Sequence, residues 1–133
     1  MDKIEKTEEQ WRKELNAKAY HVLREKGTET AFTGKLYNHD GQGMYHCGAC
    51  GNPLFKSDAK YDSGSGWPSF FESVSPDSVE MKLDKSMGML RSEVLCKKCG
   101  SHLGHVFPDG PKPSGERYCM NSVALDFKDE NSE

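Results

Sequence analysis

No apolar run in this 133-residue chain approaches the ~20 residues that a membrane-crossing helix needs. Residues 1–10 are too polar for a secretory signal. Positive charge is not in excess either. Eighteen Lys and Arg stand against 21 Asp and Glu, and the net charge of −3 argues against a phosphate-backbone partner. Hydrophobic residues make up only 35%, so the core is modest and a cross-link would help to hold it. Cysteines are few and odd in number, five in all, and their spacing suits a metal better than a disulfide framework. A reducing compartment, the cytoplasm, is the expected location. The length is that of one domain spanning residues 1–133, and nothing in it compels more than a monomer.

Four of the cysteines fall in two knuckles. Cys47 and Cys50 read C-G-A-C-G, and Cys96 and Cys99 read C-K-K-C-G. Two such pairs can close a tetrahedron around one zinc ion and leave no open coordination position, which predicts one structural Zn2+. A catalytic zinc would keep a water position and usually include a His or a carboxylate. The alternative is four unrelated buried thiols. Gly51 and Gly100, each after the second cysteine of a pair, fit a turn that tolerates positive φ. Lys97 and Lys98 can offset part of the charge of four thiolates. Cys119 is then the one cysteine left to react.

Along the chain, residues 7–26 read as one amphipathic helix. Thr7 and Gln10 form a capping-box pattern, Gly27 is a plausible stop, and Trp11, Leu15, Ala19, Val22 and Leu23 make the apolar stripe. His21 belongs to the exposed side. Beyond Thr28 the pattern changes to short strands and turns, as 13 Gly and six Pro suggest. Strands are expected at 44–47, 79–83, 89–95, 103–107 and 117–127, with a glycine-rich loop at 63–69 and a charged tail at 129–133.

In the last of these strands, alternation puts Arg117, Cys119, Asn121, Val123 and Leu125 on one face. Arg117 would favour a Cys119 thiolate, and Asn121 offers an amide to orient a ligand or water. Cys119 could equally be an inert buried thiol. His102 and His105 can supply a proton near neutral pH. Strict alternation would set them on opposite faces unless the chain bends at Gly104. Trp67 is either a pocket wall or a packing anchor.

Taken in order, several motifs reach well beyond the knuckles. They are Gly27-Thr28-Glu29, Tyr61-Asp62-Ser63-Gly64, Gly66-Trp67-Pro68-Ser69-Phe70, His102-Leu103-Gly104-His105-Val106-Phe107-Pro108-Asp109-Gly110 and Arg117-Tyr118-Cys119-Met120-Asn121-Ser122. With both knuckles, the chain resembles the B-class peptide-methionine (R)-S-oxide reductases over nearly its whole length. The resemblance implies a mainly β fold of two antiparallel sheets with an N-terminal helical segment and a structural zinc on Cys47, Cys50, Cys96 and Cys99. It implies reduction of methionine-R-sulfoxide in proteins, with Cys119 as nucleophile. Trp67 and Phe107 would contact the substrate, Trp67 receiving its methyl group. His102, His105 and Asn121 would organise the sulfoxide oxygen, and Arg117 would help electrostatically. Many relatives carry a second cysteine where this chain has Ser65. Its absence points to direct reduction of a Cys119 sulfenic acid by an external thiol, either a small thiol or thioredoxin. A binding module without catalysis and a redox sensor are the competing readings.

Overall fold

The computed structural model describes residues 4, 6–37, 39, 41–85, 91–112 and 114–129. Two short helices, α1 (Glu8–Glu14) and α2 (Ala17–Glu25), precede nine strands. These are β1 (Gly43–Cys47), β2 (Pro53–Lys56), β3 (Lys60–Tyr61), β4 (Ser69–Phe70), β5 (Val79–Asp84), β6 (Arg91–Cys96), β7 (His102–Phe107), β8 (Arg117–Met120) and β9 (Leu125–Asp129). They form a three-stranded sheet in the order β2-β1-β9 and a six-stranded sheet in the order β3-β4-β8-β7-β6-β5. Every pairing is antiparallel. The expected fold class, mainly β with two antiparallel sheets behind a helical segment, is the one observed. No helix among the described residues is long and apolar enough to cross a membrane.

The helical segment differs from the expectation in one respect. The expected single helix is two, because Leu15 turns extended and the Asn16 side chain caps Ala19 N–H at 2.8 Å, starting a second helix. The Thr7–Gln10 capping box is present with both of its bonds. Lys26, not Gly27, carries the left-handed backbone that ends α2. His21 is exposed and faces Glu25, as expected of a surface residue. The apolar stripe still docks as one surface, with Trp11, Val22 and Leu23 at 1–2% exposure. Burial of such side chains contributes about 1.5–3 kcal/mol each.

Aromatic rings fasten the two sheets together. Phe55 of β2 stacks on Phe70 of β4 at 4.4 Å, and Tyr45 of β1 meets Phe70 edge-on at 5.1 Å. The chain itself also passes between the sheets, and here the sequence-based expectation needs correction. The single strand expected over 117–127 is two. β8 pairs with β4 and β7, a turn of 3₁₀ helix follows at Ser122–Ala124, and β9 then joins β1 of the other sheet. Alternation therefore stops at Met120, and Val123 and Leu125 do not continue the Cys119 face. Asp129 is not part of a loose tail, because it pairs with Gly43. Residues 130–133 of the expected tail lie outside the described residues, as do Met89 and Leu90 of the expected hairpin arm, whose remainder is β6.

A bulge decides the outcome at the histidines. β6 and β7 pair Val94 with Gly104 but Leu95 with His102, so the β7 register slips within 102–104. Gly104 also admits the neighbouring strand closely: a Cβ there would stand 2.1 Å from the Cys119 carbonyl oxygen. Gly104→Ala should accordingly lower stability by about 3 kcal/mol, the upper end of overpacking costs. Denaturant unfolding measures it, and a change within experimental error would contradict the close approach.

Candidate active site

The two knuckles meet between the sheets. The first lies between β1 and β2 and the second between β6 and β7. In each, an amide closes the turn, Gly51 N–H to the Cys47 carbonyl at 2.8 Å and Gly100 N–H to the Cys96 carbonyl at 2.7 Å. Both glycines have positive φ, 82° and 77°. The four sulfurs lie within 4.8 Å of one another, Cys47 to Cys99 at 3.7 Å and Cys50 to Cys96 at 3.6 Å. Asn52 Nδ2 approaches the Cys96 sulfur at 3.7 Å. Crowding divides the thiols unevenly: hydrogen bonding with Cys50 and its neighbours holds Cys47 up, and hydrogen bonding from Cys47 holds Cys99 down. Four sulfurs this close together could hold a metal ion.

Cys119 lies in β8, opposite His105 of β7 and Ser69 of β4. It opens on a cavity of about 250 Å³ whose wall includes Ser65, Trp67, His105, Phe107, Arg117 and Asn121. Trp67 is held by its indole N–H, which donates to the Glu29 carbonyl at 2.9 Å. Arg117 makes a paired contact with Asp109 at 2.9 and 3.3 Å and lies 4.4 Å over the Phe107 ring. Asn121 donates from Nδ2 to the Leu103 carbonyl at 3.1 Å and accepts from Glu29 N–H at 3.0 Å. The structure thus brings six of the seven expected chemical residues around one cavity. His102 is the exception. It is 3% exposed and stands behind His105, with ring centroids 5.4 Å apart, on the same side because of the bulge.

A charged network that the sequence did not reveal backs the two imidazoles. His102 Nδ1 meets the fully buried Glu93 carboxylate at 2.7 Å, and Lys26 reaches the other Glu93 oxygen at 3.2 Å. His105 Nε2 meets Asp84 at 2.8 Å, and Arg91 approaches the same Asp84 oxygen at 3.6 Å. Burial lowers the pKa of His102 against the pull of Glu93. A neutral His102 donates its Nδ1–H to Glu93, which leaves Nε2, buried and without a partner among the described residues, as an acceptor. Glu93 and Asp84 are single acids in alternating strands, a pattern that normally reads as solvent-facing.

Burial and charge act against each other at the Cys119 thiol. Burial pushes its pKa up, and the Ser65 hydroxyl, 4.0 Å from the sulfur, and the Arg117 guanidinium only partly pull it back. Arg117 favours the thiolate, as expected, but desolvation wins.

The SelR domain pattern matches residues 15–129 of this chain. The chain belongs to the SelR-domain family. It is 58% identical over 127 residues to a protein of Methanosarcina barkeri named peptide methionine sulfoxide reductase MsrB, an alignment covering 96% of this chain and 89% of that protein. Proteins of the same name from Thiobacillus denitrificans and Leptospira interrogans are 57% and 56% identical. Those alignments cover 92% and 96% of this chain, and 92% and 97% of the respective relatives. The SelR match takes in both knuckles and every residue named around the cavity.

Two measurements check this geometry. Cys96→Ser should lose bound metal and on the order of 3–5 kcal/mol of stability together, because metal binding and folding are coupled. Metal lost by elemental analysis with melting unchanged would contradict that coupling. Because the thiol pKa is raised and the thiolate is the reactive form, alkylation of Cys119 by iodoacetamide should keep accelerating with pH beyond about 9. A plateau near neutrality would show a stabilised thiolate instead.

Proposed function

We propose that this protein reduces methionine-R-sulfoxide in proteins to methionine, with Cys119 as nucleophile. The observation that carries the reading is the convergence of a thiol, an indole, an imidazole and a guanidinium on one small cavity, in a chain whose relatives are named methionine sulfoxide reductases.

The residues suit the chemistry. Sulfoxide sulfur accepts a nucleophile only when its oxygen is protonated or strongly hydrogen-bonded. His105, with His102 behind it, supplies the proton environment at that oxygen, and Asn121 helps orient it. The Trp67 indole receives the methyl group, and Phe107 borders the same space. A flat apolar wall on one side and polar donors on the other tell methyl from oxygen, which selects one epimer. The sulfoxide polarises Cys119 toward thiolate with Arg117 assisting. The Cys119 sulfur then bonds to the substrate sulfur, oxygen passes to Cys119, and methionine leaves, so that Cys119 ends as a sulfenic acid and the substrate is reduced by two electrons. Restoring the thioether returns an apolar side chain to the repaired protein.

Ser65 occupies the position from which a second cysteine would attack that sulfenic acid, and a hydroxyl cannot form a disulfide. An external thiol therefore attacks it, releasing water and leaving a mixed disulfide. A second thiol then frees Cys119. A small thiol or thioredoxin fits this role, in a protein acting as a monomer in the reducing cytoplasm.

We further assign one structural zinc to Cys47, Cys50, Cys96 and Cys99. A tetrahedron with Zn–S bonds of about 2.3 Å has sulfur–sulfur edges of about 3.8 Å, close to the observed 3.6 and 3.7 Å. Zinc would supply cross-linking between the sheets and take no part in turnover.

Cys119→Ser should abolish dithiothreitol-dependent reduction of methionine-R-sulfoxide, a loss of at least about 10³-fold, with folding intact. Retained activity would refute the nucleophile. After one equivalent of sulfoxide without reductant, the wild type should gain one oxygen that a sulfenic-acid trap captures. A protein two hydrogens lighter, with Cys119 in an intramolecular disulfide, would refute the external thiol. Repeated turnover excludes a sensor that reacts only once.

A further inference from the structure

Glu29 is an acid without a part in the chemistry described above, yet it touches several parts of the cavity wall. Its carbonyl accepts from the Trp67 indole at 2.9 Å, and its N–H donates to Asn121 Oδ1 at 3.0 Å. Its own carboxylate, in a side chain only 6% exposed, accepts from Val123 N–H at 3.0 Å. We propose that Glu29 is a positioning residue of the pocket: one backbone unit spaces the Trp67 wall from Asn121, and its carboxylate anchors that unit to the turn after Cys119.

The geometry explains why the side chain matters when the contacts to the pocket are made by backbone. Trp67 lies in the loop before β4, whereas Asn121 follows β8. Residue 29 belongs to neither, and the segment carrying it lies outside both sheets. A segment without ladder hydrogen bonds of its own keeps its place through side-chain contacts. The Glu29–Val123 bond is such a contact, made to the Ser122–Ala124 turn that carries the chain from one sheet to the other. Room for it is reserved at Gly34, where a Cβ would stand 2.3 Å from Glu29 Oε2. Among the described residues that oxygen has no hydrogen-bond partner. Leaving a buried carboxylate oxygen unpaired is unfavourable, so packing alone would be served better by an apolar residue, and the acid is explained by the acceptor it provides.

The carboxylate also acts on the thiol. The titratable and charged groups around Cys119 are Arg117 on its own strand, His105 opposite it in β7, Arg91 of β6 on the cavity wall, Tyr61 of β3 and Glu29. Burial is the main reason the Cys119 thiol stands high, and the Glu29 charge adds to it. Glu29 thus touches binding through position and thiol ionisation through charge, and two substitutions separate these effects.

The inference rests on the proposed sulfoxide reduction for its kinetic readout, and the experiment has a second readout that needs no sulfoxide. In the full-length protein, Glu29→Ala removes both acceptor and charge. Glu29→Gln keeps an acceptor for Val123 N–H and removes the charge. For methionine-R-sulfoxide with dithiothreitol, Glu29→Ala should raise KM about tenfold with kcat changed less than about threefold, and Glu29→Gln should restore KM to within about twofold of wild type. In the absence of substrate, Glu29→Gln should alkylate at Cys119 about threefold faster than wild type at neutral pH, because a nearby negative charge is gone. An unchanged KM in Glu29→Ala, an equal rise in both variants, or an unchanged alkylation rate in Glu29→Gln each overturns the proposal. A wild type that alkylates normally but never turns over sulfoxide refutes the activity instead, and the alkylation comparison then decides the role of Glu29.

Discussion

The reactive end of this molecule depends on a chain that must leave one sheet and enter another within the stretch 121–124. β8 stops at Met120, one residue past Cys119, and β9 begins at Leu125 beside β1. Cys119 is paired on both sides, and the crossing begins just beyond it, at a seam where Asn121 turns back on the Leu103 carbonyl with the Ser65–Trp67 loop on the other side. The four knuckle sulfurs bring the same two sheets together at another point, between the β1–β2 and β6–β7 turns, where they could hold a metal ion. The stacked Phe55 and Phe70 rings fill the space between the sheets. Together these ties keep the seam from shifting.

The polar groups behind the seam do not primarily stabilise the fold. Burying the Glu93 carboxylate costs desolvation that its contacts with His102 and the half-exposed Lys26 do little more than offset. They do give each imidazole a definite orientation. Glu93 holds one nitrogen of His102, Asp84 holds one nitrogen of His105, and the rings then meet edge to face. At Cys119, by contrast, burial pushes the thiol pKa up more than Ser65 and Arg117 pull it down.

Some of this was legible from residues in order. Capping chemistry at Thr7 and Gln10, the Gly after each cysteine pair, and β-rich segments near 44–47, 79–83 and 103–107 are local signals, and local geometry honoured them. The misreadings share one cause. Asn16 could cap a second helix inside a continuous stripe, the 117–127 run could change sheets, and β7 could slip its register, all without altering the periodic pattern. Glu29 lay within a recognised motif without a role, because three of its contacts are to residues far along the chain.

The amino-acid order by itself determined the kinds of chemistry present: two pairs of thiols at metal-ligand spacing, one spare thiol, two imidazoles and an indole in a glycine-rich loop. Those follow from residue type and short-range spacing. Only the tertiary structure decided which groups face Cys119, that burial raises its thiol pKa, and that Glu29, Glu93 and Asp84 stand behind the pocket. Strand register, the sheet crossing and burial arise from contacts between distant segments, and no local pattern encodes them.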